Sequence, residues 1–259
     1  MRNDPIKDHW ERQGNLFPDS HQASWGDEFC ISLEINEVKK HLVRGETLLD
    51  IGCANGLSTM KYLEAGVSHS TGVDFSENMI SAAKRNCKAQ GLDHLLSFHV
   101  GDIRNLDFES GAFGTTNITR VLINLPTWEE QVAGLDESLR VTKSGGVLIL
   151  SEGFYEPLVR LNGLRSFLGL QPLREHEFNY YLSTNKLETY LRNKGLSFSC
   201  KTFSSTYYLG TRVIRDLILE KEQVSDFKNS FNEVFLELQK RYTIDADLGI
   251  QKLYIVKCP

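Results

Sequence analysis

The segment LLDIGCANG at residues 48–56 constrains this chain more than any other. An apolar run ends in an acid, Asp50, and Gly52 and Gly56 then bracket a short turn into a helix-forming stretch. Glycines let the backbone turn sharply and approach a ligand with no Cβ in the way. A strand-to-helix turn at the carboxyl edge of an open α/β sheet is where ligands of such sheets bind. The carboxylate of Asp50, at the end of a hydrophobic strand, needs a cation or hydrogen-bond donors to offset its desolvation.

The surrounding pattern supplies the sheet. Strands are expected at 47–52, 70–75, 94–100, 113–121 and 147–152, the last preceded by a turn at KSGG (143–146). Helices are expected at 57–65, at 76–90 with Ser76 as N-cap and Gly91 as stop, and at 127–141 with Thr127 and Glu130 in capping-box spacing. Strands alternating with helices imply parallel strands joined by right-handed crossovers, hence a doubly wound α/β fold. Residues 1–45 read as a helical cap, with an amphipathic stretch from Phe29 to Leu42. After strand five come a Tyr/Arg/Leu-rich segment (153–183), a helix near 185–193, a strand at 196–203, a helical pair at 206–220 and 223–242, and a last strand at 251–257. The second helix of the pair carries Val224, Phe227, Phe231, Val234, Phe235, Leu238 and Tyr242 at helical spacing, which reads as core packing.

Composition narrows the classes. The 259 residues carry 29 Lys and Arg against 34 Asp and Glu, a formal charge of −5 that argues against a broad grip on nucleic acid. The five cysteines are scattered without a C-x-x-C pair, and the histidines show no ligand spacing, so reduced thiols and no metal are expected. No apolar run approaches the length of a membrane span, and the N-terminus is polar and carries acids, unlike a secretory signal. These features lead us to expect a cytoplasmic protein with no membrane partner.

The next acids fall at successive strand ends. Asp74 ends strand two, where a carboxylate accepts from both hydroxyls of a ribose. Asp102 follows strand three, in reach of an exocyclic adenine amine, and Phe75, Met79 and Ile103 are apolar neighbours for a flat base. Together with Asp50 they match a ligand bearing an ammonium, a ribose diol and an adenine. The dinucleotide fingerprint G-x-G-x-x-G has Ala54 at its second glycine here, and Asp50 would repel a pyrophosphate. An NAD-dependent oxidoreductase is therefore the lesser alternative.

On these residues, LLDIGCANG, TGVDFSENMI (71–80), GDIRNLDF (101–108) and the stretch 120–152, the sequence resembles the class I S-adenosylmethionine-dependent methyltransferases over about 46–152. The resemblance implies a Rossmann-like, mostly parallel seven-stranded sheet with a reversed last hairpin and S-adenosylmethionine as cofactor. It implies that residues 46–259 form the methyltransferase domain, with acceptor-side insertions at about 153–183 and 205–245. By the same resemblance Asp50, Gly52, Ala54, Asn55 and Gly56 surround the methionine moiety, Asp74 and Phe75 contact ribose and adenine with Met79 nearby, Asp102 and Ile103 flank the base, and Arg120 or Val121 passes under the cofactor. The segment Arg120–Asn124 departs from the histidine-rich or acidic segment of many small-molecule members. A fainter similarity links the two-helix insertion and SHQASWGD to methyltransferases of bacterial surface-carbohydrate biosynthesis.

Acceptor residues are expected in the decorations. Glu152, ending strand five, is a candidate catalytic group or a cap for the next helix. His21 in SHQASWGDE (20–28) either folds over the cofactor or belongs to a surface turn capping the Phe29 helix. Tyr180, Tyr181, Tyr207, Tyr208 and Arg212 are core tyrosines and an arginine, or the lining of an acceptor pocket. Arg160, Arg165, Arg174 and Arg215 add charge to the same elements, and arginine suits phosphate. The expected function is methylation of a small polar acceptor, oxygen before nitrogen, including phosphorylated or nucleotide- or sugar-linked molecules. N-methylation of a small amine and a catalytically silent cofactor-binding subunit are the other readings.

Overall fold

The computed structural model describes residues 5–219 and 227–259. Seven strands form one sheet: β1 (Thr47–Ile51), β2 (His69–Asp74), β3 (Leu96–Val100), β4 (Phe113–Thr119), β5 (Thr142–Gly153), β6 (Ser197–Thr202) and β7 (Gln251–Lys257), in the order β3-β2-β1-β4-β5-β7-β6. The first five are parallel, and β7 runs antiparallel between β5 and β6. The sheet reverses direction of growth between β1 and β4, so the carboxyl ends of β1 and β4 diverge into the crevice where such sheets bind ligands. This is the expected doubly wound α/β sheet with a reversed last hairpin.

The helices are α1 (Pro5–Leu16), α2 (Glu28–Lys39), α3 (Leu57–Tyr62), α4 (Glu77–Ala89), α5 (Trp128–Val141), α6 (Tyr155–Phe167), α7 (Thr184–Asn193), α8 (Ser205–Leu209), α9 (Arg215–Ile218) and α10 (Ser230–Arg241). Their starts follow local chemistry. Ser76 accepts from Met79 N, Thr127 from Glu130 N and Asp27 from Cys30 N, each side chain satisfying an amide the first turn leaves free. Two apolar clusters pack against the two faces of the sheet. One holds α2, α6 and α8 residues such as Ile31, Leu161 and Tyr208, and the other α5 and α7 residues such as Leu135 and Leu187.

Three expectations need correction. KSGG is not a turn ahead of β5 but a bulge within it: pairing steps from Phe113↔Thr142 to Thr115↔Val147, and Gly145 takes a positive φ to absorb the extra residues. The helix expected at 206–220 is present as a continuous helical run over 205–218, but it is not α throughout: it takes a π turn at Gly210–Ile214. A Cβ on Gly210 would sit 2.0 Å from the Phe235 ring, so the glycine admits α10 at close range. The aromatic stripe is not uniformly core. Leu236 is buried, but Val234 and Tyr242 face solvent and Phe227 stacks on Arg212, because Asn232, Leu236 and Gln239 form the inward row of α10. Val224, and the start of the helix expected from 223, lie outside the described residues.

Candidate active site

The β1–α3 turn is built as its sequence suggests, with one surprise. Gly52 adopts φ +79, and a Cβ there would lie 2.2 Å from Val121 Cγ2, so only glycine lets the loop after β4 pack against the turn. Ala54 also takes a positive φ, +46, a strained position for an L residue. Its amide donates to Asp74 Oδ2 (3.0 Å), while Ser76 N donates to Oδ1 (3.0 Å). Asp74 thus ties the ends of β1 and β2 together. Asp50 accepts from Thr59 Oγ1 (2.6 Å) and Asn117 Nδ2 (2.8 Å). Burial pushes both carboxyls up to about 6, against the pull of these donors.

These groups line a cavity of about 260 Å³ at the carboxyl edge of the sheet. Asp50, Gly52, Ala54, Asn55, Asp74, Phe75, Met79, Asp102, Ile103 and Arg120 all contribute to its wall, and Gly56 lies just behind as the residue before α3. Asp102 is clamped by Arg104, which also reaches Glu130 (2.9 Å), so its carboxylate is already engaged at the rim. Asn55 faces outward to the cap: its Nδ2 donates to the carbonyls of Phe17, Pro18 and Ser20. Through those bonds the N-terminal segment closes over the cavity.

Within that segment Ser20 caps a short 3-10 turn, His21–Ala23, and Asp27 caps α2, so the turn and the lid are one element. His21 lines the cavity, its pKa pushed down to about 4 by burial with Lys61 adding to the effect. Glu11 on α1 completes the lid. Its carboxylate accepts from Ser76 Oγ and the amides of Glu77 and Asn78, capping α4 from outside.

A second cavity, about 440 Å³, adjoins the first, and Trp10, Ser24, Arg120 and Asn124 line both. Its other walls include Trp25, His176, Phe178, Tyr181, Tyr208, Arg174 and Arg212. Of the expected acceptor residues, Tyr181, Tyr208 and Arg212 therefore meet here. Tyr180 faces outward and Tyr207 is buried, donating to Asp27 Oδ1 (2.7 Å). Tyr208 donates to Gln251 (2.7 Å), and burial holds its phenol well above the ordinary range and that of Tyr181 up to about 12. Both therefore stay protonated at neutral pH.

The arginines expected to attract phosphate are mostly spent. Arg212 pairs with the buried Asp27, Arg165 and Arg215 with Asp216, and Arg160 with Asp247; Arg174 alone of the five reaches the second cavity without such a partner among the described residues. Glu152 lines neither cavity. Its Oε1 accepts from the amides of Val121 and Leu122 (both 2.8 Å), so it fixes the chain just after Arg120. Burial pushes its carboxyl up to about 8.

No motif or spacing marked Glu11, Trp10 or Asn124 beforehand. Glu34 did leave a trace, an acid in the apolar run of α2: it is buried, accepts from Ser151 and faces Arg120 Nε at 3.3 Å.

Comparison with known proteins identifies the central region. Residues 48–146 match the model of a family described as a methyltransferase domain. This region is a class I, S-adenosylmethionine-dependent methyltransferase domain. The chain is 34% identical over 131 residues to a demethylmenaquinone methyltransferase of Staphylococcus haemolyticus, covering 47% of this chain and 52% of that one. It thus spans about half the length of the first relatives it matches. A ubiquinone biosynthesis O-methyltransferase of Methylococcus capsulatus is 24% identical over 68% of this chain and 78% of its own. Among solved structures, geranyl diphosphate C-methyltransferase from Streptomyces coelicolor (TM-score 0.61, 13% identity, 99% and 98% of the two chains) shares the fold. So does magnesium protoporphyrin IX methyltransferase from Synechocystis (TM-score 0.61, 18% identity, 99% and 96%).

The wall of the first cavity fits the family's cofactor. Acids at the ends of β1 and β2 face it, apolar Val73, Phe75, Met79 and Ile103 flank it, and the turn between β1 and α3 comes close without a side chain at Gly52. Among the described residues no helix is long and apolar enough to cross a membrane, and no cluster of His, Cys, Asp and Glu has the makings of a metal site.

Proposed function

We propose that the chain methylates a small, flat, largely apolar acceptor on oxygen, with S-adenosylmethionine in the first cavity and the acceptor in the second. One observation carries this reading: two cavities of different chemistry share a wall of four residues, Trp10, Ser24, Arg120 and Asn124. Methyl transfer needs a donor and an acceptor in line at about 3–3.5 Å, and adjoining chambers support a reading in which the two meet at the shared wall. The names of the relatives concern quinones, geranyl diphosphate and magnesium protoporphyrin IX, and the aromatic lining suits the apolar parts of such molecules. The engaged state of Arg160, Arg165, Arg212 and Arg215 gives a phosphorylated acceptor little support. A cavity with Arg174 on its wall and, among the described residues, no carboxylate also disfavours a cationic amine.

When bound, the cofactor supplies an activated methyl on a cationic sulfur. The chain does the rest. Asp50 receives an ammonium, and the free lone pairs of Asp74 accept from a ribose diol. Phe75, Met79 and Ile103 hold a base. His21 stays neutral and puts no charge against the sulfonium. Asn55 and Glu11 hold the lid that excludes water, and Glu152 positions the segment after β4. In this reading the described residues of the 1–45 cap cover the cofactor chamber, and the described residues of the insertions at 153–183 and 205–245 wall the acceptor.

Titration calorimetry with S-adenosylhomocysteine tests the cofactor assignment. The wild type should bind it and not NAD, and Asp74→Ala should weaken it at least about tenfold, the loss of a charge-assisted hydrogen-bond pair. Unchanged affinity in that variant refutes the ribose assignment. A panel of phenols, quinols and alcohols, followed by release of S-adenosylhomocysteine, tests the acceptor class.

A further inference from the structure

Arg120 occupies the wall between the two cavities in a conformation the chain holds at a cost. Its φ is +55, a left-handed backbone that an L residue adopts only under strain. Such strain persists only where surrounding structure over-determines it. Here Glu152 does so, gripping the next two amides, while Asn124 Nδ2 donates to the carbonyl of Arg120 (3.0 Å). The side chain stacks over Trp25, with 5.5 Å from guanidinium carbon to ring centroid. Its Nε is buried and makes no hydrogen bond, although Glu34 lies 3.3 Å away.

A cation is poorly placed there to bind a sulfonium cofactor. Besides the first cavity it lines the second, whose wall carries Arg174 and, among the described residues, no carboxylate; Arg212 there is already paired with Asp27. The rings of Trp10, Trp25 and Phe178 give that chamber flat apolar faces.

We propose that Arg120 is the acceptor-orienting residue, and that the acceptor is an aromatic or conjugated molecule whose reacting oxygen is bound as an oxyanion, a phenolate or enolate, against the Arg120 guanidinium. This rests on the two-chamber reading above. The oxyanion supplies the electron pair of the new oxygen–carbon bond, while the electrons of the cleaved sulfur–methyl bond remain on sulfur. No proton moves in that step, which accords with a neutral His21 and protonated Tyr181 and Tyr208. The proton is lost earlier, to water, because the guanidinium favours the ionised acceptor.

4-Nitrophenol is a suitable probe, since its phenolate absorbs where the phenol does not. It is titrated into the full chain saturated with S-adenosylhomocysteine, with quenching of Trp10 and Trp25 fluorescence as the measure of binding. The wild type should lower the probe's apparent pKa by about one unit or more, a tenfold shift toward phenolate. Arg120→Lys should retain most of that shift. Arg120→Gln should lose it, and so should Arg120→Gln combined with Glu34→Gln, which leaves no buried unpaired carboxylate if the single variant folds poorly. An equal shift in the wild type and the double variant overturns the proposal, as does absence of probe binding to the liganded wild type. Calorimetry with S-adenosylhomocysteine on the same samples keeps the two readings apart. Normal cofactor-product binding with an unshifted probe overturns the role of Arg120 alone, and failure of the wild type to bind the product overturns the two-chamber reading.

Discussion

Two neighbouring residues of the β1–α3 turn sit in left-handed conformations for opposite reasons. At Gly52 both the φ of +79 and the 2.2 Å approach to Val121 exclude a side chain. Gly52→Ala should therefore add backbone strain of roughly 1–2 kcal/mol to an overpacking cost of about 1–3 kcal/mol. The expected outcome is a melting temperature several degrees lower and at least tenfold weaker binding of S-adenosylhomocysteine, because Val121 must shift. Ala54 already bears the strain at φ +46. Ala54→Gly should be neutral to about 1 kcal/mol stabilising, with the Asp74 bond to its amide and the product affinity kept. A loss of affinity in Ala54→Gly would mean that the methyl group itself touches the cofactor. The Gly-x-x-x-Gly spacing and the acids after β1 and β2 were legible in the sequence, since each is a local requirement of a strand-to-helix turn. The strain at Ala54 and Arg120 was not, because nothing in residue type marks a non-glycine at positive φ.

At the level of elements, the sheet was legible because five parallel strands and their crossovers repeat one pattern of apolar run, turn and capped helix. What escaped is where elements meet. The bulge at residues 143–146 depends on its partner β4, and the inward face of α10 depends on α8 approaching through Gly210. The docking of α1 rests on one acid. Glu11 caps α4 with three charge-assisted bonds, while Asn55 and Asn86 hold the carbonyls of the following turn. Hydrogen bonds to charged groups contribute about 1.5–3 kcal/mol, and α4 itself remains capped by Ser76 without Glu11. Glu11→Ala should therefore loosen the lid rather than unfold the domain. Stopped-flow measurement should find S-adenosylhomocysteine leaving on the order of tenfold faster, with its association rate little changed. Unaltered dissociation would remove α1 from the cofactor chamber's closure.

Across the whole molecule, burial holds the carboxyls of Asp50 and Asp74 in the first cavity, and of Glu152 beside the β4 loop, above their ordinary range, and this writes a pH dependence into stability. Between about pH 4 and 6 the effects oppose each other. Asp50 and Asp74, raised to about 6, keep protons that the unfolded chain has released, which lowers stability as pH rises; His21, lowered to about 4, refuses a proton that the unfolded chain binds below 6.5, which raises it. Between about 6.5 and 8 those three groups carry the same charge folded and unfolded. Glu152 does not: it remains protonated in the fold up to about 8 and is ionised in the unfolded chain. The folded state then binds more protons, so stability must fall with pH in this window, by at most about 1.4 kcal/mol per unit for one group. The melting temperature of the ligand-free protein should drop by roughly 2–4 °C per kcal/mol as pH rises from 6.5 to 8. In Glu152→Gln the amide oxygen still accepts from Val121 and Leu122 but no longer titrates. That variant should hold the same melting temperature at pH 6.5 and lose the slope, whereas Glu152→Ala should melt lower at every pH because two amides lose their partner. A slope that survives in Glu152→Gln would mean that another buried acid, Glu34 foremost, carries the proton.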